Sequence, residues 1–138
     1  MKRSNKILIG ILSFCGVAAF AAILLSQYVF ATETDNEDEM LITVQEWGRL
    51  APLPDSVSDL QIRAEGSMFT RSFHASFYLP NDDLTKWIEA SPGLQDAQIQ
   101  VAEDSPHKYT IKPGGGAQYA EAVIDLDNGL VQIYTYWS

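Results

Sequence analysis

Residues 60–79 read LQIRAEGSMFTRSFHASFYL and contain the longest strand signal in the chain. Leu60–Glu65 alternates apolar and polar residues, as a half-buried strand does. A Gly-Ser pair predicts a turn, and Met68–Leu79 then alternates again. Its odd-numbered residues, Phe69 among them, are apolar except for Arg71, and its other side is mostly polar. A sheet with one buried and one wet face gives this pattern, so we predict antiparallel strands.

A helix is predicted directly after this hairpin. Asn81 can cap it, and Leu84, Trp87 and Ile88 form one apolar stripe at helical spacing. A Ser-Pro-Gly sequence at 91–93 ends the helix after about ten residues. A helix this short is marginal in isolation, so we expect it to pack on the sheet.

The rest of the chain predicts further strands. Ala97–Ala102 and Tyr109–Ile111 are short candidates, Gln118–Leu126 alternates, and Leu130–Trp137 is β-branched and aromatic. An Asn-Gly pair joins the last two, and this pair favours hairpin turns because both residues tolerate positive φ. The predicted fold class is therefore α+β: a small antiparallel sheet of about four to six strands with one helix packed on one face.

The first 31 residues predict an N-terminal transmembrane helix. Ile7–Leu25 is an uncharged run of 19 residues, which at about 1.5 Å per residue matches the ~30 Å hydrocarbon core. Lys2, Arg3 and Lys6 precede it, and the positive-inside rule keeps them in the cytoplasm with the rest of the chain outside. The alternative is a signal peptide cleaved after Ala31, which would leave a secreted or periplasmic protein. Both interpretations put the folded part outside the cytoplasmic membrane of a bacterium.

Two segments follow the predicted anchor. Residues 32–56 are expected to be an acidic linker with a short helix in it, and residues 57–138 an extracytoplasmic α+β domain. Residues 32–39 hold five acids and no apolar residue, so they have nothing to bury. Residues 40–53 have apolar side chains near helical spacing, which predicts a short helix that ends close to Gly48.

Charge and cysteine content exclude several classes of protein. The chain after residue 31 has six basic and all 18 acidic residues, a net charge of −12, and lacks the basic face of a nucleic-acid binder. The one cysteine, Cys15, lies in the apolar run, so an internal disulfide and a Cys-rich zinc site are excluded. His74 and His107 are 33 positions apart, which argues against a metal site. We expect no cofactor.

The sequence contains no catalytic constellation. His74 shares the polar face of its strand with Ser72 and Ser76, but residues two apart on a strand are too distant for direct proton transfer. Asp125–Gly129 lacks the further ligands of a calcium loop and predicts a hairpin turn. Pro113–Gly116 lacks the Gly-Lys-Ser/Thr of a phosphate-binding loop. The sequence therefore predicts that the protein is not an enzyme, and a small envelope hydrolase that uses His74 is the alternative.

Aromatic residues supply the candidate binding surface. Tyr134 and Tyr136 share one face of the last strand, and when Ile133 faces the helix they lie on the open side of the sheet beside Tyr78 or His74. Such a surface suits recognition because tyrosine provides contact area at little entropic cost, although cross-strand pairing alone also explains the pattern. We predict a membrane-anchored, non-catalytic binding or accessory module of the bacterial envelope. Its partner would be another envelope protein, including a toxin that it neutralises as an immunity or inhibitor protein.

Overall fold

The hairpin predicted from residues 60–79 forms one edge of a six-stranded sheet in the computed structural model, which describes residues 37–138. The helices of this part are α1 (Glu37–Gly48), α2 (Asn81–Ala90) and α3 (Pro92–Gln95). The strands are β1 (Ser58–Gly66), β2 (Arg71–Tyr78), β3 (Gln98–Gln100), β4 (His107–Ile111), β5 (Tyr119–Asp125) and β6 (Leu130–Trp137).

The strands are ordered β1-β2-β6-β5-β4-β3, and every neighbouring pair is antiparallel. The predicted α+β class with a small antiparallel sheet is therefore confirmed. The last strand, β6, lies in the middle of the sheet between β2 and β5. Its position joins the β1–β2 hairpin to the strands of the C-terminal half.

Alternation along the strands separates a buried face from a second face that we call the open face. The buried residues on β2, β5 and β6 are Phe73, Ala75, Phe77, Ala120, Ala122, Ile124, Val131, Ile133 and Thr135. The apolar residues among them pack with residues of the helices, including Val44, Leu84 and Trp87, in one core cluster. The alternate positions of the same strands are half-buried or exposed and form the open face.

The helical layer differs from the expected single helix. The helix expected to pack on the sheet is α2, but α1, which is the short helix predicted to end close to Gly48, also contacts β1, β2, β5 and β6. The first turn of α1 contains Glu37, Asp38 and Glu39, which belong to the expected linker, and the helix dipole favours acidic residues at this end. Val44 is fully buried. Residues 37–56 thus contribute to the packed unit instead of serving only as a linker.

The segment after α1 is fastened to α2 by hydrogen bonds that involve Trp87 and Ser91. The indole Nε1 of Trp87 donates to the carbonyl oxygen of Ala51 at 2.9 Å. The Ser91 hydroxyl accepts from the Ala51 amide at 2.9 Å and donates to the Trp87 carbonyl at 2.7 Å. The expected capping role of Asn81 is wrong: Pro80 occupies the N-cap, no side chain caps the helix, and Asn81 is its first residue.

The turn of the β1–β2 hairpin is longer than predicted. It occupies residues 67–70, so β2 begins at Arg71 and not at Met68. The Ser67 amide donates to the Thr70 carbonyl at 2.9 Å and closes the turn. Phe69 lies in this turn and is exposed, contrary to the core-face position that the alternation predicts for it.

The predicted anchor Ile7–Leu25 and its flanking Lys2, Arg3 and Lys6 lie outside the described residues. The alternative cleavage position after Ala31 lies outside them as well. Within residues 37–138, no helix is long and apolar enough to cross a membrane.

Candidate functional site

Strand register brings three of the four predicted recognition residues together. His74 on β2 lies opposite Tyr134 on β6, and Tyr136 lies opposite the neighbouring Ser72. Tyr78 points to the same face but pairs with Leu130, about 13 Å along the strand from His74 at ~3.3 Å per residue. The open face therefore has an aromatic group at one end, with Tyr78 apart from it.

The aromatic group includes a tyrosine from β5 that the sequence did not assign to the site. The rings of His74 and Tyr134 are 4.7 Å apart between centroids. Tyr119 approaches Tyr134 from the other side, with ring centroids 6.1 Å apart. We call His74, Tyr134 and Tyr119 the aromatic cluster. Its rings lie next to one another across three adjacent strands, β2, β6 and β5.

A groove of about 800 Å³ lies on the open face beside this cluster. It is lined by residues of β1, β2, β5 and β6 and has both polar and apolar atoms on its surface. The polar side chains that line it are Gln61, Arg63, Glu65, Ser72, His74, Ser76, Glu121, Gln132 and Tyr134. The groove thus combines aromatic rings with amide, hydroxyl and charged groups, a mixture suited to contact with a polar partner.

Two carboxylates flank the aromatic cluster. On the β1 side, Glu65 lies 3.4 Å from Arg63 Nε and 3.9 Å from His74 Nε2. On the β5 side, Glu121 accepts a hydrogen bond from the Tyr119 hydroxyl at 2.5 Å and pairs with Lys108 Nζ at 2.9 Å. Each negative charge therefore has a basic neighbour, and the second pair fixes the position of Tyr119.

The contacts among Glu121, Tyr119 and Lys108 shift the pKa values of all three residues. Burial acts to raise the pKa of Glu121, but hydrogen bonds from Tyr119 and Lys108 outweigh it and hold the pKa below its ordinary value of 4.5. The hydrogen bond to Glu121 raises the pKa of Lys108 and that of Tyr119. At neutral pH the carboxylate and ammonium are charged and the phenol is protonated, so this group positions side chains and is poorly suited to proton transfer.

Replacing Glu121 with glutamine is expected to reduce the acid sensitivity of folding. Because the folded-state pKa of Glu121 is lowered, its stabilisation is present above the unfolded-state pKa and is lost as pH falls through the folded-state pKa. The free energy of unfolding should therefore fall less between about pH 6 and about pH 3 in Glu121→Gln than in the parent. Urea unfolding at a series of pH values measures this. Glu103→Gln, in the exposed β3–β4 loop, is the control, and equal pH dependence of the parent and Glu121→Gln would contradict the prediction.

The serines near His74 do not form a catalytic arrangement with it. The Ser72 hydroxyl donates to the Glu65 backbone carbonyl at 3.4 Å. In the described part of the chain, no hydrogen bond joins His74 to Ser72 or Ser76. The 3.9 Å between His74 Nε2 and the Glu65 carboxylate is also too long for a hydrogen bond. An aligned Ser–His–carboxylate relay is not assembled.

The two loops that resemble binding motifs have structural partners. The Asp125 carboxylate accepts from the backbone amides of Asp127 at 3.0 Å and Asn128 at 3.1 Å, which stabilises the β5–β6 turn. The Gly114 amide donates to the Trp47 carbonyl at 2.9 Å and joins the glycine loop to the end of α1. Among residues 37–138, no group of three His, Cys, Asp or Glu side chains is arranged to hold a metal ion.

No protein-family model, curated protein or solved structure matches this chain. The candidate site is therefore defined by its geometry: a groove on the open face, an aromatic cluster of which His74 and Tyr134 line the groove, and two paired carboxylates. In this arrangement the aromatic rings can stack on a bound molecule, and the polar side chains of the groove can form hydrogen bonds with it.

Proposed function

We propose that the protein is a non-catalytic binding module of the bacterial envelope, held by its N-terminal segment at the outer face of the cytoplasmic membrane. It binds another envelope protein through the open face, and neutralisation of a toxin is one form that this function can take. The observation that carries the proposal is the aromatic cluster beside the open-face groove.

The dimensions of the open face support a protein partner. Five intervals of ~4.8 Å between the six strands and about seven residues of ~3.4 Å each give a surface of roughly 570 Å². A standard protein interface covers about 800 Å² on each partner, so the face and its surrounding loops provide enough area. A small ligand would use only part of it.

The mutual packing of the rings and the overall charge also favour binding. Side chains that are already ordered lose less conformational entropy when a partner binds. Residues 37–138 contain 16 acidic and six basic residues, a net charge of −10. A field of this sign accelerates encounter with a basic partner and slows encounter with acidic ones.

The test compares two tyrosines on the same sheet face. The full-length tagged protein is recovered from its native membranes with bound partners after cross-linking, and the partners are quantified by mass spectrometry. Tyr134→Ala is expected to lower recovery of the partner about tenfold or more, as loss of a central aromatic anchor does. Tyr78→Ala, which removes a 40% exposed tyrosine outside the groove, should leave recovery unchanged. Full recovery by a folded Tyr134→Ala/Tyr136→Ala double variant would contradict the proposal.

The retained anchor has a separate test. N-terminal sequencing of the mature protein is expected to give the sequence from Met1. A mature N-terminus at Thr32 would instead establish cleavage after Ala31 and a secreted or periplasmic location. The binding function of the open face would be unaffected by that result.

A small envelope hydrolase that uses His74 is the second candidate function. The observation that favours it is the presence of His74, Ser72, Ser76 and Glu65 in one groove. A panel of ester, amide and glycoside substrates given to the parent and to His74→Ala separates the two functions. Activity that His74→Ala abolishes would support the hydrolase, and absence of activity in both would contradict it.

A further inference from the structure

The tip of the β1–β2 hairpin exposes two adjacent large apolar side chains. Met68 is 88% exposed and Phe69 is 75% exposed. The turn that carries them is ordered by hydrogen bonds: the Phe69 amide donates to the Ser67 hydroxyl oxygen at 3.2 Å, and the Ser67 amide donates to the Thr70 carbonyl at 2.9 Å. Adjacent exposed apolar side chains on an ordered turn are typical of an interaction site, whereas single exposed apolar side chains are common on protein surfaces.

We propose that this tip inserts Met68 and Phe69 into the interfacial region of the bilayer to which the N-terminal segment attaches the chain. The inference rests on the anchor in the proposed function, and it adds a second contact with the membrane. Transfer of methionine and phenylalanine side chains from water to the headgroup–acyl boundary is favourable. The two residues alone would bind weakly.

The short segment between the predicted anchor and α1 allows even a weak contact of the tip to keep it at the membrane. The apolar run ends at Leu25 and α1 begins at Glu37, so residues 26–36 separate them. Eleven residues at most ~3.6 Å long each keep the start of α1 within about 40 Å of the end of that run. A contact that forms within so short a tether is intramolecular and benefits from a high effective concentration.

The acidic residues around the sheet favour the same orientation. Residues 55–59, 81–83, 103–104 and 125–127 carry eight acids and no basic residue. These segments adjoin the strand ends that lie farthest from the hairpin tip, since Ser58 pairs with the last residue of β2. An anionic bilayer repels them, so the opposite end of the sheet is the one that approaches it.

The end that carries the tip has a different charge. The tip residues 67–71 and the loop 112–118 include Arg71 and Lys112 and no acid. Two acids adjoin this end and each has a basic partner: Glu65, at the adjacent end of β1, is paired with Arg63, and Asp96, just before β3, is paired with Arg49. Basic residues near a negatively charged membrane surface contribute favourably to its binding. Apolar side chains and basic charge therefore occur at the same end of the sheet.

The test compares the tips of the two hairpins in the full chain. Phe69→Cys and Asp127→Cys are made in a Cys15→Ser background, labelled with a polarity-sensitive fluorophore and reconstituted into vesicles of phosphatidylethanolamine and phosphatidylglycerol. The label at 69 should have a blue-shifted emission, quenching by lipid-attached nitroxide, and a several-fold lower quenching constant for aqueous iodide than the label at 127. Met68→Cys provides a second position in the same tip and should behave like Phe69→Cys.

Vesicle flotation in the same samples separates this inference from the anchor. If the protein floats with the vesicles while the labels at 69 and 127 are equally accessible to iodide, the tip proposal is overturned and the anchor stands. If the protein does not float, the anchor fails, and the tip proposal falls with it. Loss of the 69 signal in vesicles of phosphatidylcholine alone would attribute the contact to the negative lipid charge and would support the proposed orientation.

Discussion

Replacing Trp87 with alanine is expected to lower the free energy of unfolding by about 3–5 kcal/mol, as truncation of a buried tryptophan does. Trp87 is 3% exposed. Its ring meets Phe77 edge-on, with centroids 5.5 Å apart, and its Nε1 donates to the Ala51 carbonyl at 2.9 Å. The substitution therefore leaves a cavity between α2 and the sheet and removes the hydrogen bond that holds the segment after α1.

Two control variants separate the contribution of the hydrogen bond from that of the buried ring. Trp87→Phe keeps much of the ring but leaves the Ala51 carbonyl without its donor, which is expected to cost about 1–3 kcal/mol. Trp137→Ala removes a tryptophan that is 41% exposed and should cost less than about 1 kcal/mol. Urea unfolding of the full chain in a mild detergent, followed by far-ultraviolet circular dichroism, measures all three. Equal losses for Trp87→Ala and Trp137→Ala would contradict the assigned role of Trp87.

The buried face of α2 shows what the sequence pattern predicts and what it does not. The spacing of Leu84, Trp87 and Ile88 predicts one apolar stripe, and Leu84 and Trp87 are buried as expected. The pattern does not reveal that Trp87 binds Ala51, because this contact joins residues 36 positions apart. Periodicity identifies the face that a helix buries, whereas the partner depends on the path of the intervening chain.

The part of the candidate site that the sequence does not predict depends on the turn between β5 and β6. Period-two alternation places Tyr134, Tyr136 and His74 on one face, because it needs only the direction of successive side chains. The contact of Tyr119 with Tyr134 requires the register between β5 and β6. An Asn-Gly turn of two residues would pair Asp127 with Leu130 and shift that register by two positions.

The observed turn has four residues. Asp125 pairs with Leu130, which places Tyr119 opposite Tyr136. The Asp125 carboxylate accepts from the amides of Asp127 and Asn128 and stabilises the longer turn. A polar side chain that binds its own turn competes with the two-residue geometry. The aromatic cluster therefore depends on a turn whose length the Asn-Gly signal does not predict.

The same turn accounts for the second large effect, which we expect from Gly129→Ala. Gly129 has a φ of 75°, and a Cβ atom there would lie 2.2 Å from the Leu79 carbonyl oxygen. The Gly129 carbonyl also accepts from the Leu79 amide at 3.0 Å, so the turn cannot move away without losing that bond. We expect a loss of about 2–5 kcal/mol in the free energy of unfolding, from left-handed backbone strain and steric overlap together.

Gly116→Ala is the matched control because it isolates the backbone strain. Gly116 has a similar φ of 84°, and a Cβ atom at this position would meet no heavy atom within 4 Å beyond its chain neighbours. Its loss should be about 1–2 kcal/mol, so the difference between the two variants measures the overlap with Leu79. Displacement of this turn would also disturb the register that brings Tyr119 to Tyr134, and Gly129→Ala should therefore weaken partner recovery while Gly116→Ala preserves it. Equal losses of stability in both variants would show that the turn does not depend on its packing against Leu79.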